Sequence, residues 1–80
     1  MPKLSKEDIS KIFSKNFRHL RKKSGLKQEA FAYQLGITRS MVGSYEEGRA
    51  TPTLPVLINI SNVLGHSIDS LLTNDLTKEE

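Results

Sequence analysis

The helical spacing of the apolar residues constrains the fold more than any other feature of this chain. In the first third, apolar side chains recur every three or four residues, at Ile9, Ile12, Phe13, Phe17 and Leu20. This spacing places them on one face of an α-helix. No segment shows the two-residue alternation of a half-buried strand. The sequence therefore predicts an all-α protein.

Glycines and capping residues divide the helical pattern into five segments. Ser5 with Asp8 has the spacing of a capping box, and Gly25, Gly36 and Gly65 stand where helices end. We expect helices over residues 6–24, 28–35 and 38–47, a fourth from a Thr53 cap to Gly65, and a short fifth from a Ser67 cap. This organisation gives an N-terminal extension of the first helix (1–12), a five-helix domain (13–72) and a polar C-terminal tail (73–80).

The apolar residues of the later helices define their expected inward faces. In the second and third helices these are Phe31, Leu35, Val42 and Tyr45. In the fourth and fifth the helical repeat selects Leu54, Leu57, Ile58, Ser61, Leu64, Ile68, Leu71 and Leu72. These faces together predict one small core.

Composition excludes several classes of protein. The 80 residues include no cysteine, which removes disulfides, thiolate zinc sites and cysteine nucleophiles. His19 and His66 lie in different elements without carboxylates at ligand spacing, and no glycine-rich phosphate loop is present. We therefore expect no metal, no cofactor and no enzyme. No apolar run is long enough for a bilayer or a signal peptide, so we expect a cytoplasmic protein without a membrane partner.

Charge is distributed unevenly along the chain. Residues 1–50 hold 11 of the 12 Lys and Arg and 5 of the 9 Asp and Glu, a net +6, whereas residues 51–80 carry a net −3. A basic half of this kind is typical of a surface that binds a polyanion. An ordinary solvated face of charged residues is the alternative.

Residues 28–47 have the steric features of a helix-turn-helix. Ala32 permits a close helix crossing, and Gly36 can take the positive φ that the turn requires. If Val42 and Tyr45 face the core, the outward face of the third helix carries Thr38, Arg39, Ser40, Gly43 and Ser44. Arginine pairs with guanine in a major groove, so this face suits base reading. A helical hairpin with a solvated outer face remains the alternative.

The segment from Gln28 to Gly48 resembles the helix-turn-helix of the Cro/C1 (XRE) family of phage repressors and small bacterial regulators. The likeness extends to about residues 13–72, including Leu20–Leu26 upstream and Pro52–Leu72 downstream. The resemblance implies a lambda-repressor-like five-helix domain that binds double-stranded DNA sequence-specifically and regulates transcription, as a repressor. It also implies a homodimer on near-palindromic operators, formed by the fourth and fifth helices around Ile58, His66 and Leu72.

The resemblance also implies roles for individual residues. Thr38, Arg39, Ser40 and Ser44 match the family's base-reading positions, and Gln28 matches a glutamine that binds a phosphate. Arg21 and Glu46 match a partly buried ion pair. Further phosphate contacts are expected from Lys22, Lys23, Lys27 and Arg49. Lys27 departs from the family pattern, which has Ser, Thr or Asn as the cap of the second helix.

Two alternatives stay open from the sequence. Small proteins of this fold also act as antitoxins or as protein-interaction modules. The chain could equally be the DNA-binding segment of a longer repressor.

Overall fold

The computed structural model describes residues 3–78, which form five α-helices and one 3₁₀ turn. The helices are α1 (Lys6–Lys23), α2 (Gln28–Leu35), α3 (Arg39–Glu46), α4 (Leu54–Leu64) and α5 (Ile68–Thr73), followed by the 3₁₀ turn Leu76–Lys78. The all-α prediction is confirmed, and residues 3–78 contain no strand. The α1 and α3 bounds are tighter than predicted by one residue where Ser24, Thr38 and Glu47 act as caps. Within the described range, no helix has the length and apolar composition needed to cross a membrane.

The predicted capping box begins α1. The Asp8 amide donates to Ser5 Oγ, and the Ser5 amide donates to Asp8 Oδ2, both at 3.1 Å. The hydrogen bond from the Ser5 backbone is the main reason that the pKa of Asp8 is lowered. This reciprocal pairing satisfies backbone groups that a helix start otherwise leaves open.

Aromatic rings from the first three helices form the centre of the core. Phe17 contacts Phe13, Phe31 and Tyr45 with ring centroids 5.2–5.7 Å apart. The contacts with Phe31 and Tyr45 are edge-to-face, a favourable geometry for aromatic rings. Burial raises the pKa of the Tyr45 hydroxyl. This cluster holds α2 and α3 against α1 and so fixes the orientation of the helix-turn-helix.

The prediction for the inward face of α4 is partly wrong. Leu57 and Ile60 are buried, whereas Leu54 and Ile58 are 72% and 50% exposed. Apolar residues occur on nearly every side of this helix, so their spacing does not identify the face that packs. Asn59 Nδ2 donates to the Leu35 carbonyl at 2.7 Å and ties α4 to the end of α2.

Thr53, the predicted cap of α4, differs from the N-caps of α3 and α5. It occupies the N-cap of α4, but among the described residues its side chain makes no capping hydrogen bond. Thr38 and Ser67 do accept such bonds, from the Met41 and Ser70 amides at 3.1 Å. Pro55 in the first turn lacks an N–H and so leaves one donor fewer to satisfy.

The C-terminal segment packs on α1 instead of extending as a polar tail. Leu76 is buried, and the fully buried Asn16 side chain binds the segment at three points. Its amide nitrogen donates to the Leu71 and Asn74 carbonyls at 2.9 and 2.7 Å, and its oxygen accepts from the Leu76 amide at 3.0 Å. Residues 74–78 of the expected tail therefore belong to the folded unit.

Candidate nucleic-acid interface

The turn between α2 and α3 has the geometry that the sequence predicts. Gly36 lies in the left-handed region with φ 70°, a conformation that L side chains rarely adopt. The amides of Gly36 and Ile37 donate to the Tyr33 and Ala32 carbonyls at 3.2 and 3.0 Å, which satisfies the end of α2. Ala32 is buried at the crossing, where its small side chain allows α2 and α3 to approach closely.

Helix α3 presents one polar face to solvent. Val42 and Tyr45 are buried, which turns the opposite side of the helix outward. Along α3, Arg39 and Ser40 are exposed, whereas Gly43 and Ser44 are half-buried. Thr38 is exposed as well, but it is the N-cap that precedes the helix, and its hydroxyl accepts from the Met41 amide. Four of the five predicted base-reading residues therefore lie on α3 itself, and Thr38 lies directly before it.

Gly43 leaves the middle of this face open. A Cβ built at Gly43 would have no atom of the described chain within 4 Å, apart from its neighbours and its own helix backbone. Its φ is not positive, so the backbone conformation does not require glycine. The absent side chain allows the backbone of α3 to approach a groove closely.

Arg21, Glu46 and Gln28 form one network that joins three helices. Arg21 Nε and Nη2 donate to the two carboxylate oxygens of Glu46 at 2.5 and 3.1 Å. Gln28 Nε2 donates to Glu46 Oε1 at 3.1 Å, and Arg21 Nη1 donates to the Leu26 carbonyl at 3.0 Å. The Glu46 side chain is 4% exposed and that of Arg21 14%, so this predicted pair is largely desolvated. The network fixes Gln28 at the first position of α2.

A cleft of about 400 Å³ lies beside the start of α2. It is lined by Arg21, Lys27, Gln28, Glu29 and Arg39. Lys27 is the N-cap of α2 and supplies no side-chain capping bond within residues 3–78. The first backbone amides of a helix point out of its N-terminal end and carry partial positive charge, which favours the binding of an anion there. The departure at Lys27 thus replaces a capping oxygen with a cation next to these amides.

The other predicted phosphate-binding residues lie apart from this cleft. Lys22 and Lys23 are exposed in the last turn of α1. Arg49 follows α3, and its Nε donates to the exposed carboxylate of Glu47 at 2.8 Å. These cations do not form one cluster, since Lys22 lines a cleft with Glu46 and Glu47 whereas Lys23 lines another with Leu64 and His66.

Ser14 is a buried polar residue of α1 that no sequence motif marks as functional. It lies on α1 beside the end of α3, and its buried hydroxyl has no hydrogen-bond partner among the described residues. The available signal is a serine inside the amphipathic pattern of α1, between Phe13 and Lys15.

Residues 3–78 contain no cluster of three or more His, Asp or Glu side chains suited to a metal.

Comparison with known proteins places the chain in a family. Its residues 17–71 match the helix-turn-helix family model, and the chain belongs to that family. This confirms the resemblance to Cro/C1-type proteins. It is 44% identical to the uncharacterized HTH-type transcriptional regulator YqaE of Bacillus subtilis, over 80% of this chain and 55% of YqaE. The chain therefore spans little more than half the length of that relative.

Two further proteins match this chain over most of their own lengths. The control protein C.SmaI of Serratia marcescens is 36% identical over 91% of this chain and 87% of that protein. The P22 c2 repressor protein, solved with a synthetic operator, superposes with a TM-score of 0.73 at 27% identity. That match covers 79% of this chain and 96% of the repressor chain.

Proposed function

We propose that this protein binds double-stranded DNA sequence-specifically, with α3 in the major groove, and regulates transcription in the cytoplasm as a repressor. The observation that carries the proposal is the exposed polar face of α3, oriented by the buried Arg21–Glu46–Gln28 network. The similarity to the P22 c2 repressor, which was solved in complex with a synthetic operator, supports DNA binding.

Different residues supply sequence discrimination and general affinity in this proposal. Arg39, exposed at the first turn of α3, reads a guanine through O6 and N7. Thr38, Ser40 and Ser44 contact neighbouring base edges, and Gly43 permits close approach. Lys22, Lys23, Lys27, Gln28 and Arg49 bind phosphates, which fix the position of the protein without reading sequence.

The partner is a near-palindromic operator bound by two copies of the chain. One α3 of 8 residues reads only a few base pairs, so a second copy is needed for a longer site. A dimer that neutralises ~6–10 phosphates would lose ~10³–10⁵ in affinity between 50 and 200 mM salt.

The experiment is selection of bound duplexes from a random pool, followed by fluorescence anisotropy on the selected and a scrambled duplex. Arg39→Ala should lose ~1–3 kcal/mol of binding free energy on the selected duplex and much less on the scrambled one. Lys27→Ala, which removes the same charge, is the matched control and should weaken both duplexes alike. Equal losses for Arg39→Ala on both duplexes would exclude it from base reading. Failure to enrich any duplex would favour a protein-interaction module instead.

A further inference from the structure

A second cleft, of about 670 Å³, lies between α1 and the residues that end α3. Its α1 side carries Lys11, Lys15, Arg18 and Lys22, spaced by four, three and four residues and therefore on one helix face. This row is about 16 Å long at 1.5 Å per residue. Its first half precedes the matched family region, which begins at residue 17.

The charges around this cleft leave an excess of positive charge at the C-terminal half of the row. Glu46 and Glu47 line the opposite wall, but Arg21 neutralises the first and Arg49 pairs with the second. Lys15 is paired with Asp75 at 3.0 Å. Glu7 and Asp8 lie one turn before Lys11 and offset its charge. Arg18 and Lys22 form no ion pair within residues 3–78, so they dominate the local potential.

The Ser14 hydroxyl lies in the lining of this cleft, between the cations and the end of α3. Ser14 is 9% exposed, and its oxygen has no hydrogen-bond partner in the described chain. A Cβ at Gly48 would approach this oxygen to 3.7 Å, so the glycine keeps the wall beside it uncovered. Buried hydroxyls in native proteins are nearly always paired, which points to a partner supplied from outside the chain.

We infer that this cleft binds one phosphate group of the DNA backbone, outside the segment that α3 reads. Ser14 donates a hydrogen bond to a phosphate oxygen, and Arg18 and Lys22 supply the opposite charge. The inference rests on the proposed DNA binding and extends the contact to α1. With this contact, α1 lengthens the stretch of DNA backbone that each copy of the protein touches.

Two variants test the cleft and leave unchanged the residues of α2 and α3 that are proposed to bind DNA. Ser14→Ala and Arg18→Gln should each weaken binding to the selected duplex about three- to tenfold. Arg18→Gln should also lower the slope of log affinity against log salt by about 1 per bound copy. Ser14→Ala should not lower the melting temperature, because it removes a hydroxyl that has no partner in the free protein. Lys6→Gln, an exposed α1 residue outside the row, is the charge-matched control and should change neither quantity.

A second measurement separates DNA phosphate from a free phosphate ligand. Inorganic phosphate added without DNA should shift the backbone amide resonances of Ser14 and Gly48, and pre-bound duplex should abolish these shifts. Phosphate shifts that persist with the duplex bound would assign the cleft to a free ligand and overturn the inference. Wild-type-like DNA affinity and salt slope in both variants would overturn it as well, and would leave the proposed function intact. A wild-type chain that binds no duplex would contradict the proposed function and this inference together.

Discussion

At the residue scale, Glu46 joins three helices at the candidate interface. Its carboxylate accepts hydrogen bonds from Arg21 on α1 and Gln28 on α2 while its own backbone ends α3. The family resemblance anticipated the pair with Arg21, but nothing in the local spacing indicates a contact between residues 25 positions apart. A buried charge is tolerated only when it is paired and hydrogen-bonded.

Glu46→Gln should destabilise the protein by about 3 kcal/mol, because Arg21 would keep its charge in a largely buried site without a counterion. This loss of stability should lie at the lower end of the range for broken buried ion pairs, because Arg21 keeps its hydrogen bond to the Leu26 carbonyl. Chemical denaturation measures the free energy of unfolding. Glu47→Gln is the matched control, because its pair with Arg49 is exposed and should contribute no more than about 1 kcal/mol. Equal stability of the two variants would contradict the buried role of Glu46.

At the element scale, the helices could be predicted from the sequence more fully than their packing. Helix bounds follow from local caps and glycines, and these depend on residues three or four positions apart. The docking of residues 74–78 depends on Asn16, whose partners lie 55–60 residues away. The polar composition of this segment predicts an unpacked tail. A polar residue on the apolar face of α1, between Phe13 and Leu20, was the signal that such partners exist.

Asn16→Ala should destabilise the fold by about 2–4 kcal/mol, because it leaves two carbonyls and one amide of the C-terminal segment without their partner. Amide hydrogen exchange at Leu76 should accelerate in the variant. Asn62→Ala, which alters an exposed asparagine of α4, is the control. Unchanged exchange at Leu76 would show that the segment docks without Asn16.

Asp75 should make the docked segment sensitive to acid. A hydrogen bond from the Thr77 hydroxyl, followed by one from Lys15, lowers the pKa of Asp75 from 3.8 to about 2. A carboxyl group with a lowered folded-state pKa stabilises the protein above its unfolded pKa, and that stability is lost as the pH falls. The stability difference between wild type and Asp75→Asn should therefore shrink between pH 3.8 and about 2. Melting temperatures across this range measure it, and a difference independent of pH would contradict the role of Asp75.

At the scale of the whole molecule, the cations concentrate in one part of the chain, and α4 exposes apolar surface. Residues 1–50 hold 11 of the 12 Lys and Arg, whereas Leu54 and Ile58 are exposed on α4, as is Tyr33 on α2. Leu54 and Ile58 are one turn apart, so they form one apolar strip, and Ile58 is one of the residues expected to pair two copies. The sequence does not predict this strip, because apolar residues occur on nearly every side of α4 and their spacing does not identify the face that packs.

Two correctly spaced half-sites, roughly 34 Å apart, should bind the protein more tightly than one. The gain should exceed the factor of about two expected from independent sites. Ile58→Lys should abolish this gain and keep the affinity for one half-site, because the charge would be desolvated between copies. Anisotropy titrations of the two duplexes measure both quantities. No gain for the wild-type chain would rule out cooperative pairing.

The open position at Gly43 bears on how proteins of this helix-turn-helix family diverge. Glycine in a helix interior costs about 1 kcal/mol relative to alanine, so nothing in the stability of α3 favours it. A Cβ at this position would meet no atom of the described chain within 4 Å, apart from its neighbours and its own helix backbone. If α3 reads bases as proposed, a duplicated copy of this gene acquires a new target preference through one codon, at a position outside the buried core.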